Sequence, residues 1–302
     1  MNRIKVVLDT DIGGDIDDAV CLAYLLSHPG CELLGITTVT GEAPRRAMLA
    51  SALCRRAGRE VPIYPGAERP LILPQKQLSA PQAAALGRWD HQQDFPRGEA
   101  IEFLRRTIRR NPGEVVLLTI GPLTNIGLLF SVDPEIPRLL KGLVMMCGRF
   151  LEPVPSGYGP VEWNALVDAH ATSIVYQAPV KLHQSVGLDV TSKVVMAPEE
   201  FRTTFAGVFL FEPVLEWAEI WFREWPVTAF HDPLAAATIF DDSLCAYRRG
   251  RVSVDLSGEE GRGTTHWAPD DQAGPHEVAT EVDPGRYFLH YRAIVGAQGG
   301  HA

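Results

Sequence analysis

Apolar and polar positions fall into blocks along the chain, and the blocks alternate between two kinds of spacing. Runs dominated by Val, Ile and Leu at residues 4–8, 33–39, 115–120, 143–146 and 180–186 are nearly continuous and read as strands covered on both faces. Between them, residues 19–27, 45–57, 99–109, 124–130 and 169–176 carry helical spacing. Strand and helix taking turns predicts an α/β fold, Rossmann-like, with a mostly parallel central sheet and helices on both faces. Two late runs, 252–256 and 277–282, read as short antiparallel strands at an edge. Residues 69–96, rich in Pro, Gln and Ala, read as a long loop or flap, and loops of that length in compact domains are usually functional or mobile. The stretch 199–225 is helical and carries Phe201, Phe205, Phe209, Phe211, Trp217, Trp221 and Trp225; core or oligomer packing is its plain reading. No repeat or low-complexity linker divides the chain. One large domain over residues 1–302 is expected, with a frayed tail from about 296.

Composition narrows the partners. The chain has 302 residues, 46% apolar and 22% charged, the profile of an ordinary soluble globular protein with a sizeable core. Its net charge is −9, and no Lys/Arg block interrupts it, which argues against nucleic acid and anionic membrane and leaves a small molecule. Five scattered cysteines (Cys21, Cys31, Cys54, Cys147, Cys245) show no metal or disulfide spacing and read as reduced thiols. With neither a signal-peptide pattern nor an apolar run of membrane-spanning length, a cytoplasmic location is expected.

The chemistry concentrates where the first strand stops. Asp9, Asp11, Asp15, Asp17 and Asp18 are five aspartates within ten residues, with no Lys or Arg among them. Like charges about 5 Å apart repel by roughly 3 kcal/mol per pair at an effective dielectric near 20. Such a loop needs a cation or shared protons, and oxygen-only donors favour a hard ion such as Ca²⁺ or Mg²⁺. Capping of the helix that opens near Ala19 would use one or two of these residues, not five. An EF-hand is excluded, because the twelfth residue from Asp9 is Val20 rather than Glu. The opening Asp9-Thr10-Asp11 also resembles the start of haloacid-dehalogenase-type phosphatases, with Asp9 as nucleophile. A nucleoside-binding protein without turnover is a third possibility. Three further constellations lie downstream. His231-Asp232-Pro233 joins a titratable ring to a helix start. Gly121-Pro122-Leu123-Thr124-Asn125 forms a strand-to-helix turn whose carbonyls sit at a strand end. Glu162-Trp163-Asn164, with Asp168 at a helix start, suits recognition of sugar hydroxyls.

In this order the motifs resemble the nucleoside hydrolase family, the inosine–uridine-preferring ribosyl N-glycosidases. The matching segments are Asp9-Thr10-Asp11 through Asp17-Asp18-Ala19, Gly35 to Val39, Pro62 to Ala67, Gly121 to Asn125, Met146-Cys147-Gly148, Glu162-Trp163-Asn164, Leu188 to Thr191 and His231-Asp232-Pro233. The resemblance implies Ca²⁺ held by Asp11, Asp18, Asp232 and the carbonyl of Thr124. It makes Asp11 the general base, Asp17 the partner of the ribose 2′-hydroxyl, and Glu162 and Asn164 the grip on the rest of the sugar. Trp163 belongs with these contacts, His231 protonates the leaving base, and Asp9 and Asp15 support from behind. A homodimer or homotetramer acting on a nucleoside is implied as well. The chain departs from the family pattern at several points. Ile12 stands for a proline, two extra residues lengthen the aspartate loop, and Cys147 stands for a glycine. Trp163 replaces Phe, Gly157 to Pro160 lie where an Asn is usual, and Glu42 replaces an Asn near the base. Glu42 and His91, the latter in the flap, are therefore candidate base contacts.

Overall fold

The computed structural model describes residues 3–153 and 156–296. The tail expected beyond 296 lies outside them. Its centre is a nine-stranded sheet in the order β10-β9-β11-β6-β5-β4-β1-β2-β3. The strands are β1 (Ile4–Thr10), β2 (Cys31–Thr38), β3 (Ile63–Pro65), β4 (Val115–Thr119), β5 (Gly142–Met145), β6 (His183–Ser185), β9 (Cys245–Val254), β10 (Thr265–Pro269) and β11 (His276–Val282), while β7 (Val195–Met196) and β8 (Thr228–Ala229) pair separately. Among the described residues, twelve α-helices fill the connections: α1 (Asp17–Ser27), α2 (Ala43–Arg56), α3 (Ala100–Arg110), α4 (Thr124–Val132), α5 (Ile136–Leu139), α6 (Trp163–Val167), α7 (Ala169–Gln177), α8 (Leu188–Thr191), α9 (Pro198–Phe205), α10 (Glu212–Trp221), α11 (His231–Thr238) and α12 (Pro284–Gly296).

β1 shows why the sheet closes over. Val6 and Leu8 pack into the core on one face, with α1, α2, α11 and α12. Val7, on the other face, joins the layer of α3, α4 and α7. Both layers are apolar, so the strand carries no exposed face. β1 pairs in parallel with β2 and with β4, Leu8 standing level with Ile36 and Leu118. From β1 the order runs outward to β2 and β3 on one side and to β4, β5 and β6 on the other. This reversal leaves a crevice above the carboxyl ends of β1 and β4, where doubly wound sheets bind their ligands. The aspartate burst begins at that end of β1.

The edge differs from the sequence pattern. Residues 277–282 belong to β11, which runs parallel to β6, and β9 is the antiparallel strand joining β11 to β10. β9 also starts earlier than residue 252. Its polar, half-exposed positions mask the apolar rhythm on which the reading relied. The 69–96 segment is not featureless, since a 3₁₀ helix occupies Pro81–Arg88. In the aromatic region Phe201, Phe205, Phe211 and Trp217 are buried core, whereas Trp221 and Trp225 face a cavity. All five cysteines are buried and unpaired. No helix among the described residues is long and apolar enough to cross a membrane.

Phe205 stacks on Phe211 with 4.1 Å between ring centroids and touches Phe201, Phe230 and Tyr291. Phe205→Ala should therefore cost about 3–5 kcal/mol, the range for emptying a packed aromatic site. Leu289→Ala, at a position 73% exposed, should change stability by less than about 0.5 kcal/mol. Urea midpoints of the two variants test the contrast.

Candidate active site

The loop between β1 and α1 sorts its side chains by polarity. Ile12 and Ile16 are fully buried in the core, while Asp11, Asp15, Asp17 and Asp18 line a cavity of about 640 Å³. Gly13 makes the turn possible: its φ is +119°, and a Cβ there would stand 2.8 Å from Leu49 and 2.9 Å from Ala80. Capping does not explain the acids. The residue at the α1 cap position is Ile16, and no side chain caps the helix.

Asp232, in the first turn of α11, comes to the same place from the far end of the chain. Carboxylate oxygens of Asp17, Asp18 and Asp232 lie within 4.8 Å of one another, and all three residues are buried. The Asp232 amide donates to Asp17 Oδ2 at 3.1 Å, and the Thr10 hydroxyl donates to Asp18 Oδ1. Burial, then mutual repulsion, pushes Asp17, Asp18 and Asp232 well above the usual carboxylate range. Burial also raises Asp15 to about 7 and raises Asp11, against which Arg46 and Gln77 act.

Arg46 is the main positive counterweight, and nothing in the sequence reading marked it. It sits on the inner face of α2 and is fully buried. Its guanidinium donates to the carbonyls of Gly41, Ile12 and Ser79 at 2.8, 3.1 and 2.8 Å, and to that of Asp11. One arginine set behind five acids leaves a deficit of positive charge. An all-oxygen donor set at that deficit fits a hard divalent cation. The structure places Asp17 beside Asp18 and Asp232 as candidate ligands, with Asp11 lining the same cavity.

The other predicted residues divide into two groups. Glu162, Trp163, Asn164 and His231 line the cavity. Glu162 is also the cap of α6, accepting from the amides of Asn164, Ala165 and Gly148 at 2.7, 3.0 and 2.9 Å. Asn164 Nδ2 donates to the carbonyls of Ile120 and Met146 at 2.9 and 3.0 Å. His231 Nδ1 meets the Thr191 hydroxyl at 2.7 Å and Nε2 meets the Tyr158 hydroxyl at 3.3 Å. Burial pushes this ring down to about 4, so at neutral pH it is an uncharged hydrogen-bonding group rather than a stored proton. Asp15, expected behind the site, lines the cavity itself.

Four candidates lie elsewhere. Thr124 does not line the cavity; its hydroxyl donates to Asp168 Oδ2 at 2.7 Å, and it opens α4. Ile120, just after β4, lines the cavity, and its carbonyl accepts from Asn164 Nδ2. Glu42 caps the start of α2 with a φ of +61°. It accepts from the Ala80 amide at 2.8 Å and pairs with Arg45 at 3.0 Å. These contacts hold it below its ordinary range, the opposite of a raised acid, and it is not among the residues lining the cavity. His91 faces the carbonyl of Trp89 at 2.7 Å, away from the cavity lining. Asp9 is fully buried beneath the site, accepting from Asn125 Nδ2 at 2.7 Å and from the Thr37 hydroxyl; burial raises it to about 7. That agrees with a supporting position.

Four aromatic side chains share the cavity with the acids. Tyr158, Trp163, Trp221 and Trp225 all line the cavity, and Trp221 stacks on Trp225 at 5.3 Å. The 69–96 segment closes over the aspartate loop. Gln82 Nε2 donates to the carbonyls of Gly14 and Asp15, each at 2.9 Å, and Gln77, Leu78 and Ser79 join the lining.

Comparison with known proteins places this site in a family. The sequence profile of the inosine-uridine preferring nucleoside hydrolases matches residues 6–288. The non-specific ribonucleoside hydrolase RihC of Escherichia coli is 30% identical over 93% of this chain and 94% of its own. The inosine-uridine preferring nucleoside hydrolase of Crithidia fasciculata is 28% identical over 86% of each chain. A purine-preferring ribonucleoside hydrolase from Gardnerella vaginalis shares the fold, with a TM-score of 0.83 at 23% identity, covering 99% of this chain and all of the other. The chain belongs to the inosine-uridine preferring nucleoside hydrolase family, and is an enzyme of the nucleoside hydrolase type.

The raised carboxylates fix the sign of a stability test. The folded protein holds protons on Asp9 and Asp15 up to pH about 7, whereas unfolded aspartates release theirs near 3.8. Their contribution is present at low pH and lost as pH rises through about 7. Asp17, Asp18 and Asp232 are raised in the same direction, and a cation binding among them competes with their protons. The difference in Tm between Ca²⁺-loaded and chelated protein should therefore widen as pH rises from about 5 to 8. A difference that stays constant with pH would place the cation away from these carboxylates.

Proposed function

We propose that the protein hydrolyses the N-glycosidic bond of a ribonucleoside or related ribosyl compound, releasing free base and ribose, with Ca²⁺ as its metal. One observation carries this reading: acids from β1, α1 and α11 meet beside an aromatic wall in a single cavity. A pentose with several hydroxyls suits the first surface and a flat heterocycle the second. Asp11, Asp17, Asp18, Asp232 and the Ile120 carbonyl would hold the cation. When bound, it offsets the carboxylate charge and acidifies water beside it.

The residues then divide the work. Asp11, nearest the crevice between β1 and β4, takes a proton from the attacking water. The water oxygen forms a bond to C1′ as the C1′–N bond breaks, the electron pair leaves with the base, which takes up a proton from solvent, and Asp11 releases the proton it received. Positive charge builds on the sugar ring in that step, and the surrounding carboxylates stabilise it. Asp17 and Asn164 bind ribose hydroxyls, and Glu162 fixes the turn that presents Asn164. His231, neutral and held by Thr191, donates a hydrogen bond toward the leaving base. The phosphatase alternative requires Asp9 as nucleophile, and a buried Asp9 bonded to Thr37 and Asn125 does not suit that task. A homodimer or homotetramer in the cytoplasm is the setting we propose.

Ribose release from a panel of purine and pyrimidine nucleosides and nicotinamide riboside, with chelator and after Ca²⁺ is restored, tests the activity and its metal together. Turnover should vanish with chelator and return with Ca²⁺; turnover indifferent to chelator would remove the metal from the account. Asp11→Asn should lower kcat by about 10²–10⁴-fold, the usual worth of a general base. Nucleoside binding, followed by calorimetry, should weaken far less. Equal losses in binding and turnover would contradict the assigned role.

A further inference from the structure

We infer that Arg46 and Gln82 are positioning residues that hold the lengthened aspartate loop by its main-chain oxygens and so keep its carboxylates aimed into the cavity. The inference rests on the activity proposed above and adds two residues to its machinery. Every carbonyl from Asp9 to Ile16 accepts a hydrogen bond. Those of Asp9 and Thr10 take the amides of Ile120 and Val39 at 2.9 and 3.1 Å, just past the strand ends, and that of Ile16 takes the Val20 amide at 3.2 Å as α1 begins. The carbonyls from Asp11 to Asp15 are served by two residues alone. Arg46 Nη1 donates to Asp11 and, at 3.1 Å, to Ile12. The Gln82 main-chain amide donates to Gly13 at 3.2 Å. Gln82 Nε2 donates to Gly14 and to Asp15, each at 2.9 Å. Both donors are fully buried and neither lines the cavity, whereas Asp11, Asp15, Asp17 and Asp18 do.

The length of the loop explains the device. Two residues beyond the family pattern bring two more carbonyls that neither the sheet nor α1 can satisfy, and buried carbonyls require donors. The Gln82 side chain has two N–H groups to give. Its Oε1 has no partner among the described residues, a cost that fixes the amide, since turning it over would set that oxygen against two carbonyls. Arg46 ties the same parts together. Its Nη2 donates to the Ser79 carbonyl at 2.8 Å, three residues before Gln82, and its Nε to that of Gly41 at 2.8 Å. The loop is thus gripped from behind through its main chain, while Ile12 and Ile16 anchor it in the core. A general base must meet its water at one angle and distance, and a loop held in this way limits how far Asp11 can drift. Neutralising the acids is no part of what Gln82 does, because an amide carries no charge.

The test compares Gln82→Met, which keeps the length and loses both side-chain donors, with Arg46→Lys, which keeps the charge and loses the fork. Amide hydrogen exchange of the protein without nucleoside reads the loop directly. Exchange over residues 9–18 should speed up by about tenfold or more in each variant, with residues 115–119 of β4 unchanged. Turnover reads the consequence: Gln82→Met should lower kcat by about 10- to 100-fold while KM stays within about threefold. Unaltered protein that releases no ribose from any nucleoside of the panel would defeat the proposed activity, and exchange alone would then decide this inference. Exchange over 9–18 that stays as in the unaltered protein, a kcat within about twofold of it, or a KM that rises as far as kcat falls would overturn the inference for Gln82. Unchanged exchange in Arg46→Lys would overturn it for Arg46 and leave that residue a counter-charge only. If Gln82→Met shows no cooperative melt, Gln82→Asn, one methylene too short to reach both carbonyls, carries the same test with the same outcomes.

Discussion

The structure depends on holding a group of carboxylates together in a place where water is scarce. Asp11, Asp15, Asp17, Asp18 and Asp232 share one crevice, and Arg46 is the buried cation set behind them. Each acid alone would be expensive to bury ionised. Together they are stable only if protons or a metal supply the missing charge. Much of the surrounding architecture serves to keep them there. Ile12 and Ile16 fasten the loop to the core, Gly13 bends it, Gln82 holds its carbonyls from above, and the Asp232 amide ties α11 to α1 through Asp17.

The fold supplies the meeting point. Reversal of strand order between β1 and β4 opens a gap above their carboxyl ends, and the loops after both strands drop into it. From β1 come the acids, and from β4 come the Ile120 carbonyl and a glycine that admits Asp11. The later part of the chain brings the aromatic wall and His231. Polar and aromatic groups alternate in that later part, since Glu162 and Asn164 flank Trp163 and Asp232 follows the Trp221–Trp225 stretch.

The parts legible in the sequence are those where a residue declares its environment. Five aspartates without a counter-charge announce a site whatever the fold around them, and β1 and β4 announce burial by their unbroken apolar runs. His231-Asp232 was legible through its motif. The misplaced residues have no such signature. Any residue contributes a carbonyl, so neither Thr124 nor Ile120 carries a sequence signal for such a role. Glu42 looked like a base contact by position, but its left-handed backbone and its bonds to Ala80 and Arg45 turn it outward. Arg46 and Gln82 escaped notice for a related reason. Their partners are main-chain atoms or residues far away in the chain, and neither belongs to a periodic pattern. Trp221 and Trp225 lie in a stretch whose aromatic residues are mostly core, and only packing decides which of them face the cavity.

Arg46 has a consequence for redesign. All four of its hydrogen bonds end on main-chain oxygens, so it reads the course of the backbone and is blind to the side chains attached. Libraries meant to alter substrate scope can randomise Asp15, Tyr158, Trp221 and Trp225 without disturbing what this guanidinium recognises. Replacing the arginine itself would forfeit the scaffold on which every such variant stands.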